Sequence, residues 1–344
     1  MTPIRMPWGD RLRDVLGGQA GSLGLLLLIV LAWTAFSLGG SGFLDSFNLY
    51  SIGQLAARDA VLGMAQAMLL MTGRMNLAAG GVGAVCTSLL GYLLVTAGAP
   101  LWVALPAVLV VSVLAGLLMG IAELKTGLSS FVVTLAFLSI YSGGALLVTG
   151  GRQFEIVSPE LTSLGNATFF SDAICPLVVV AVICGALCWL LCFRNSLGWR
   201  MLAIGANERA ARASGVNVGR VVLAAYALSG LLCGVATVMN ASYELNVNAG
   251  FGSDWLLPSF ITAVLGGVAL TGGEVSIGGI LLAAVFYDSL QSGLTIIDVP
   301  TYWIQLPQGL VLLGAVLLDE LRRRRLTLRR NRPAPEPDIA VAAS

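Results

Sequence analysis

Ionisable residues in this chain are bunched, and the gaps between the bunches are long and apolar. A helix that crosses a bilayer needs about 20 mostly apolar residues, and the gaps supply them. Nothing ionisable stands between Asp14 and Asp45, which predicts a first span near 21–40. A second, near 49–71, carries Arg58 and Asp59 inside it. The charge-free run from Arg74 to Glu123 is long enough for two spans, and Ala97-Gly98-Ala99-Pro100 divides it into 77–96 and 101–122. Further spans are expected between Lys125 and Arg152, between Asp172 and Arg194, and between Arg220 and Glu244. The last three fill 255–273, follow Glu274 with Asp288 inside, and fill 299–318. The pattern predicts an all-α polytopic membrane protein of about ten transmembrane helices. The first run is too long for the apolar region of a signal peptide and is expected to remain as a span.

Composition agrees. The chain is 57% hydrophobic and 11% charged, against about 25% charged residues in a soluble domain. Its net charge of +1 points to no nucleic-acid partner. Histidine is absent, which excludes Ser-His and Cys-His nucleophiles and the H-E-x-x-H zinc motif. The single lysine, Lys125, follows Leu124, whereas a phosphate-binding P-loop needs glycine before its lysine. No enzyme activity and no cofactor are expected on this chain. Cys184, Cys188 and Cys192 recur every four residues and stripe one helix face. They read as small packing residues, with a soft-metal site as the alternative.

Basic residues favour the cytoplasmic loops of membrane proteins. With ten spans and the N-terminus inside, 17 of the 19 basic residues fall on the cytoplasmic side. Arg152 falls outside, and Arg58 lies within a span. The expected layout is a cytoplasmic segment 1–20, a transmembrane domain 21–319 and a basic, Pro-containing cytoplasmic tail 320–344. One inside loop, 194–220, is longer than the rest. Within it Asn207 is a good helix N-cap, Glu208 suits the first turn, Arg212 the last, and Gly215 the left-handed stop. A short surface helix is expected over Glu208–Ser214, with a face of small side chains at Ala210, Ala211, Ala213 and Ser214. Such a helix suits docking into another protein's groove; a solvated loop helix is the other reading.

This loop resembles the cytoplasmic coupling segment of ribose/galactose-type ABC transporter permeases. The matching residues are Ala203-Ile204-Gly205-Ala206-Asn207, Ala210-Ala211 and Ser214-Gly215-Val216. Ser130-Phe131-Val132-Val133-Thr134-Leu135, Tyr226 to Leu231, Ala263 to Gly267 and Thr271-Gly272-Gly273 are similar to further stretches of that family, in the same order. The resemblance spans roughly 43–319. One turn departs: where the family reads T-G-G-I-D-L-S, this chain has Thr72-Gly73-Arg74-Met75-Asn76-Leu77-Ala78. The change points to a divergent subfamily or to one half of a heteromeric pair.

The resemblance implies an ABC-importer permease architecture in a bacterial inner membrane, with both termini cytoplasmic. A second permease copy or a paralogue would pair with it. Cytoplasmic ATP-binding cassette subunits would bind ATP, and a periplasmic solute-binding protein would deliver a sugar or similar small polar solute. Gly205, Asn207, Glu208, Ala210, Ala211, Ser214 and Gly215 would then couple the permease to the ATPase. Asn76, Asp288 and Gln291 are candidates for the translocation path. Asp288 and Gln291 share a helix face at i, i+3, and an acceptor beside an amide suits sugar hydroxyls. A helix–helix hydrogen bond is the alternative. An ion-coupled secondary transporter and a branched-chain amino-acid ABC permease are the rival readings.

Overall fold

The computed structural model describes residues 8–40, 42–155, 158–166, 175–244, 246–248 and 250–330. The helices in chain order are α1 (Trp8–Gly39), α2 (Ser46–Leu70), α3 (Ala79–Gly91, continued by a π-helical turn at Tyr92–Thr96), α4 (Leu101–Thr126), α5 (Ser130–Thr149), α6 (Pro159–Asn166) and α7 (Pro176–Arg194). They continue with α8 (Ser196–Ala206), α9 (Glu208–Ala213), α10 (Val218–Glu244), α11 (Leu256–Leu265), α12 (Ile277–Ile296) and α13 (Thr301–Arg330). A two-residue antiparallel pair, β1 (Phe154–Glu155) with β2 (Asn246–Val247), ties the loop after α5 to the loop after α10.

Helix α2 is the core of the fold. From Ala56 to Leu70 every residue is buried, including Arg58, Asp59 and Gln66. A helix covered all round must be surrounded by other helices, and α7, α10, α11 and α12 pack around this one. Its alanines and Gly63 let those neighbours close in: a Cβ on Gly63 would lie 2.9 Å from the Ile280 side chain. The outer helices show the opposite pattern. Leu27, Val110, Leu147, Leu187 and Leu310 are exposed, as lipid-facing residues should be. Helices α4 and α10 meet through faces of small residues, for a Cβ at Gly116 would lie 3.3 Å from the Gly230 Cα.

Among the described residues, six helices are long and apolar enough to cross a membrane: α3 with its π turn, α4, α5, α7, α10 and α12. Every expected span falls on a helix, but two depart from a simple crossing. Helix α2 is long enough, yet carries the Arg58–Asp59 pair. Helices α1 and α13 carry the apolar stretches Leu23–Gly39 and Tyr302–Leu317 among the described residues. The span expected over 255–273 is corrected: α11 stops at Leu265, and ten residues reach only about 15 Å. Gly267, Gly272 and Gly273 have positive φ, so the chain after α11 turns and does not extend it.

The helical ends also run further than expected. Helix α1 begins at Trp8, inside the proposed segment 1–20, and α13 continues through the arginines to Arg330, into the proposed tail. Leucine and arginine are good helix formers, so the basic run extends the last helix. Residues 1–7 and 331–344 lie outside the described residues, as does Asp172.

Candidate functional site

The loop 194–220 is two capped helices. Asn195 caps α8, its side chain accepting from the Leu197 N–H at 3.1 Å. Asn207 then leaves the helical conformation and caps α9, accepting from the Ala210 N–H at 3.0 Å. Gly215, with φ 83°, provides the left-handed stop, and the Val216 N–H returns to the Ala211 carbonyl at 3.1 Å. The helix ends at Ala213 with Ser214 as its C-cap, one residue short of the expected bound. The expected face of small residues is split. Ala210, Ala213 and Ser214 are exposed, but Ala211 is 6% exposed and belongs to the core cluster. Successive helical positions are about 100° apart, so Ala210 and Ala211 point different ways.

Gly205 joins this loop to the membrane core. A Cβ there would strike the Met71 carbonyl oxygen and would lie 2.5 Å from the Gly273 nitrogen. The Gly273 N–H donates to that same Met71 carbonyl at 3.1 Å. Three backbones therefore meet: the end of α2, the end of α8 and the turn between α11 and α12.

Arg74 makes a second junction. Its Nε donates to Glu123 Oε1 at 2.6 Å, its Nη2 to Glu208 Oε2 at 3.2 Å and its Nη1 to the Thr72 carbonyl at 3.1 Å. Glu123 also accepts from the Tyr226 hydroxyl. Arg212 closes on Glu208 at 3.0 Å. One guanidinium thus ties α9 to the end of α4 and to the turn after α2. Partial burial acts to raise the Glu208 carboxyl, but the hydrogen bond from Arg212 and the charge of Arg74 outweigh it and hold the carboxyl below the usual range.

Asn76, Asp288 and Gln291 each meet different neighbours. Asn76 is buried in the turn after α2, where its Nδ2 donates to Ser229 Oγ at 3.0 Å and its Oδ1 accepts from the Ala78 N–H at 3.0 Å. Gln291 accepts from Gln308 on α13 at 3.2 Å, the helix–helix alternative. Asp288 is 1% exposed and faces α2 beside Asp59. Arg58 and Asp59, neighbours too far apart in angle to stack, nonetheless pair at 2.7 Å because the long arginine side chain curls back. Arg58 also donates to Asn240 at 2.8 Å and to Tyr243 at 2.9 Å. Asn240, Tyr243 and Glu123 carry no sequence signal that marks them, since the arginines they meet lie more than 45 residues away.

Residues 250–255, just before α11, form turns that lie beside the start of α3. Gly252 lies against the backbone of Gly80, and a Cβ on Gly83 would sit 2.5 Å from the Trp255 ring. Both glycines belong to the first turns of α3, a membrane-spanning helix. Ser253 and Asp254 are exposed on this segment. Non-helical backbone at membrane depth persists where protein buries it or where it lines a cavity.

Residues 55–316 match the family described as "Branched-chain amino acid transport system / permease component". The chain belongs to this permease family. The permease is 31% identical over 316 residues to the autoinducer 2 import system permease protein LsrD of Yersinia enterocolitica, covering 90% of this chain and 93% of that one. It is 31% identical over 313 residues to the LsrD of an Enterobacter species, covering 89% and 93%. No solved structure matches the permease significantly. The resemblance to sugar-type ABC permeases is therefore borne out: this is a multi-pass permease subunit of an ABC importer.

Proposed function

We propose that this permease imports a sugar-like small polar solute, with α9 as the element that docks the ATPase. The observation that carries the docking role is α9 itself: a helix capped at both ends, with Arg209, Ala210 and Ala213 exposed, and an ion pair from Glu208 to the turn below α2. The relatives' solute, autoinducer 2, is the first candidate, and a branched-chain amino acid is the other class that the family description offers. ATP binds a separate cassette subunit, a periplasmic binding protein supplies the solute, and a second copy or a paralogue completes the path. Both termini are cytoplasmic. Helices α1, α2 and α13 also cross the bilayer, while α11 and the turns before it form one broken crossing. Ser253 and Asp254 line the path there, with Asp288 and Gln291 behind them on α12.

The docking role is tested at Ala210, because Ala211 is buried and its replacement would disturb the permease itself. Overpacking a fitted surface costs about 1–3 kcal/mol. Ala210→Trp should weaken binding of the ATPase subunit roughly ten- to a hundredfold without lowering the melting temperature of the permease. Parent-like binding and transport by this variant would remove α9 from the interface.

A further inference from the structure

Three carboxylate oxygens in the interior have no donor among the described residues: Asp59 Oδ2 and both oxygens of Asp288. Asp59 is 0% exposed and Asp288 1%. They stand on α2 and α12, which pack together between the hydrogen bond from Ser292 Oγ to Asn48 Oδ1 at 2.6 Å and the close approach of Gly63 to Ile280, and both acids lie inside that stretch. The cation beside them bonds one carboxyl of the pair and two residues of α10. Arg58 gives its Nε to Asp59 Oδ1 and its Nη1 to Asn240 and Tyr243. Both carboxyls are buried, and the one guanidinium among the described residues that acts on them is paired with Asp59.

A second negative charge in that buried space would have no counter-ion of its own among the described residues, at a cost of several kcal/mol. Two facing carboxyls satisfy each other when one carries a proton, because its O–H donates to the other's oxygen. We propose that Asp59 and Asp288 form a proton-binding site that holds one proton between α2 and α12. The proton comes from bulk water and returns to it, and an O–H bond is the only bond made or broken.

The surroundings favour a proton over a metal ion. Among the described residues no third carboxylate or thiolate joins the pair to make a metal-binding group, whereas hard cations take about six or more oxygens. The other titratable groups that act on the pair are Tyr243 on α10, Tyr287 on α12 and Asp254 in the turns before α11. Glu244 on α10 faces Arg58 and Asp254. Asp254 adds negative potential at Asp59, and Arg58 opposes the negative potential at both acids. Parting α2 from α12 at this level would wet both carboxyls and free the proton.

The experiment is infrared difference spectroscopy on the full-length permease in lipid nanodiscs, in H2O and D2O at neutral pH. The parent should show the carbonyl band of a protonated carboxyl, absent from Asp288→Asn. That variant keeps Arg58 paired with Asp59 and should melt close to the parent. The double variant Asp59→Asn/Asp288→Asn strands Arg58 and should lose most of its folded yield. A parent without the band, or a band that survives in Asp288→Asn, overturns the proposal. So does a melting temperature that rises with sodium chloride but not with choline chloride at equal ionic strength, which would assign the site to a metal cation.

Discussion

Asn76 donates to Ser229 and Arg74 bridges two acids, and together these two residues replace the glycine and aspartate of the resembling family's turn. The exchange makes physical sense in this chain. Asn76 is fully buried, and a neutral amide there leaves no stranded charge. Arg74 spends its charge on Glu123 and Glu208, which lie 49 and 134 residues away along the chain. Removing it leaves Glu123 with Tyr226 alone and frees α9 from the turn, and a charged hydrogen bond is worth about 1.5–3 kcal/mol. Arg74→Gln should therefore leave ATPase binding intact while lowering solute carried per ATP hydrolysed roughly tenfold. Arg74→Lys, which keeps the charge but loses the forked geometry, should recover part of that loss. The measurement is the ratio of transport to hydrolysis in the reconstituted importer. An unchanged ratio in Arg74→Gln would show that the tie carries no motion.

The ties that fix α9 make its attachment sensitive to pH. Glu208 has a depressed carboxyl, so its contribution is present above the ordinary carboxylate range and is lost as pH falls through the folded-state value. Amide exchange across α9, corrected for its intrinsic pH dependence, should rise on acidification in the parent and show no such step in Glu208→Gln. Gly205 sets the other constraint. Even Gly205→Ala would press on the Met71 carbonyl and the Gly273 nitrogen, costing about 1–3 kcal/mol, and should lower the melting temperature. An unshifted melting curve would mean that the three backbones part without cost. Caps are local chemistry, so Asn207, Gly215 and the helix between them were legible in the sequence. The junctions were not. Gly205 could be matched to a motif, but nothing near it in sequence names Met71 or Gly273. Ala211 looked equivalent to Ala210 until the helix was placed on the core. The helix expected over 255–273 failed because an apolar run does not distinguish a crossing from a buried half-helix followed by a turn.

For the whole molecule, the uneven distribution of arginines predicts the sidedness. On a cysteine-free background, membrane-impermeant label applied from outside should reach a cysteine at Ser163, exposed on α6, and not one at Ser196, exposed at the start of α8. The reverse pattern would invert the molecule in its membrane. The burial of α2 has a further consequence, for biogenesis. Its Arg58 and Asp59 make it a poor candidate to partition into lipid alone, yet α10, which supplies the partners of Arg58, and α12 begin only at Val218 and Ile277. At about 5–20 residues per second, the ribosome takes roughly ten seconds or more to deliver the first of them. In that interval the most central helix of the finished protein is an orphan, and the cell's insertion machinery must shelter it until the later helices emerge.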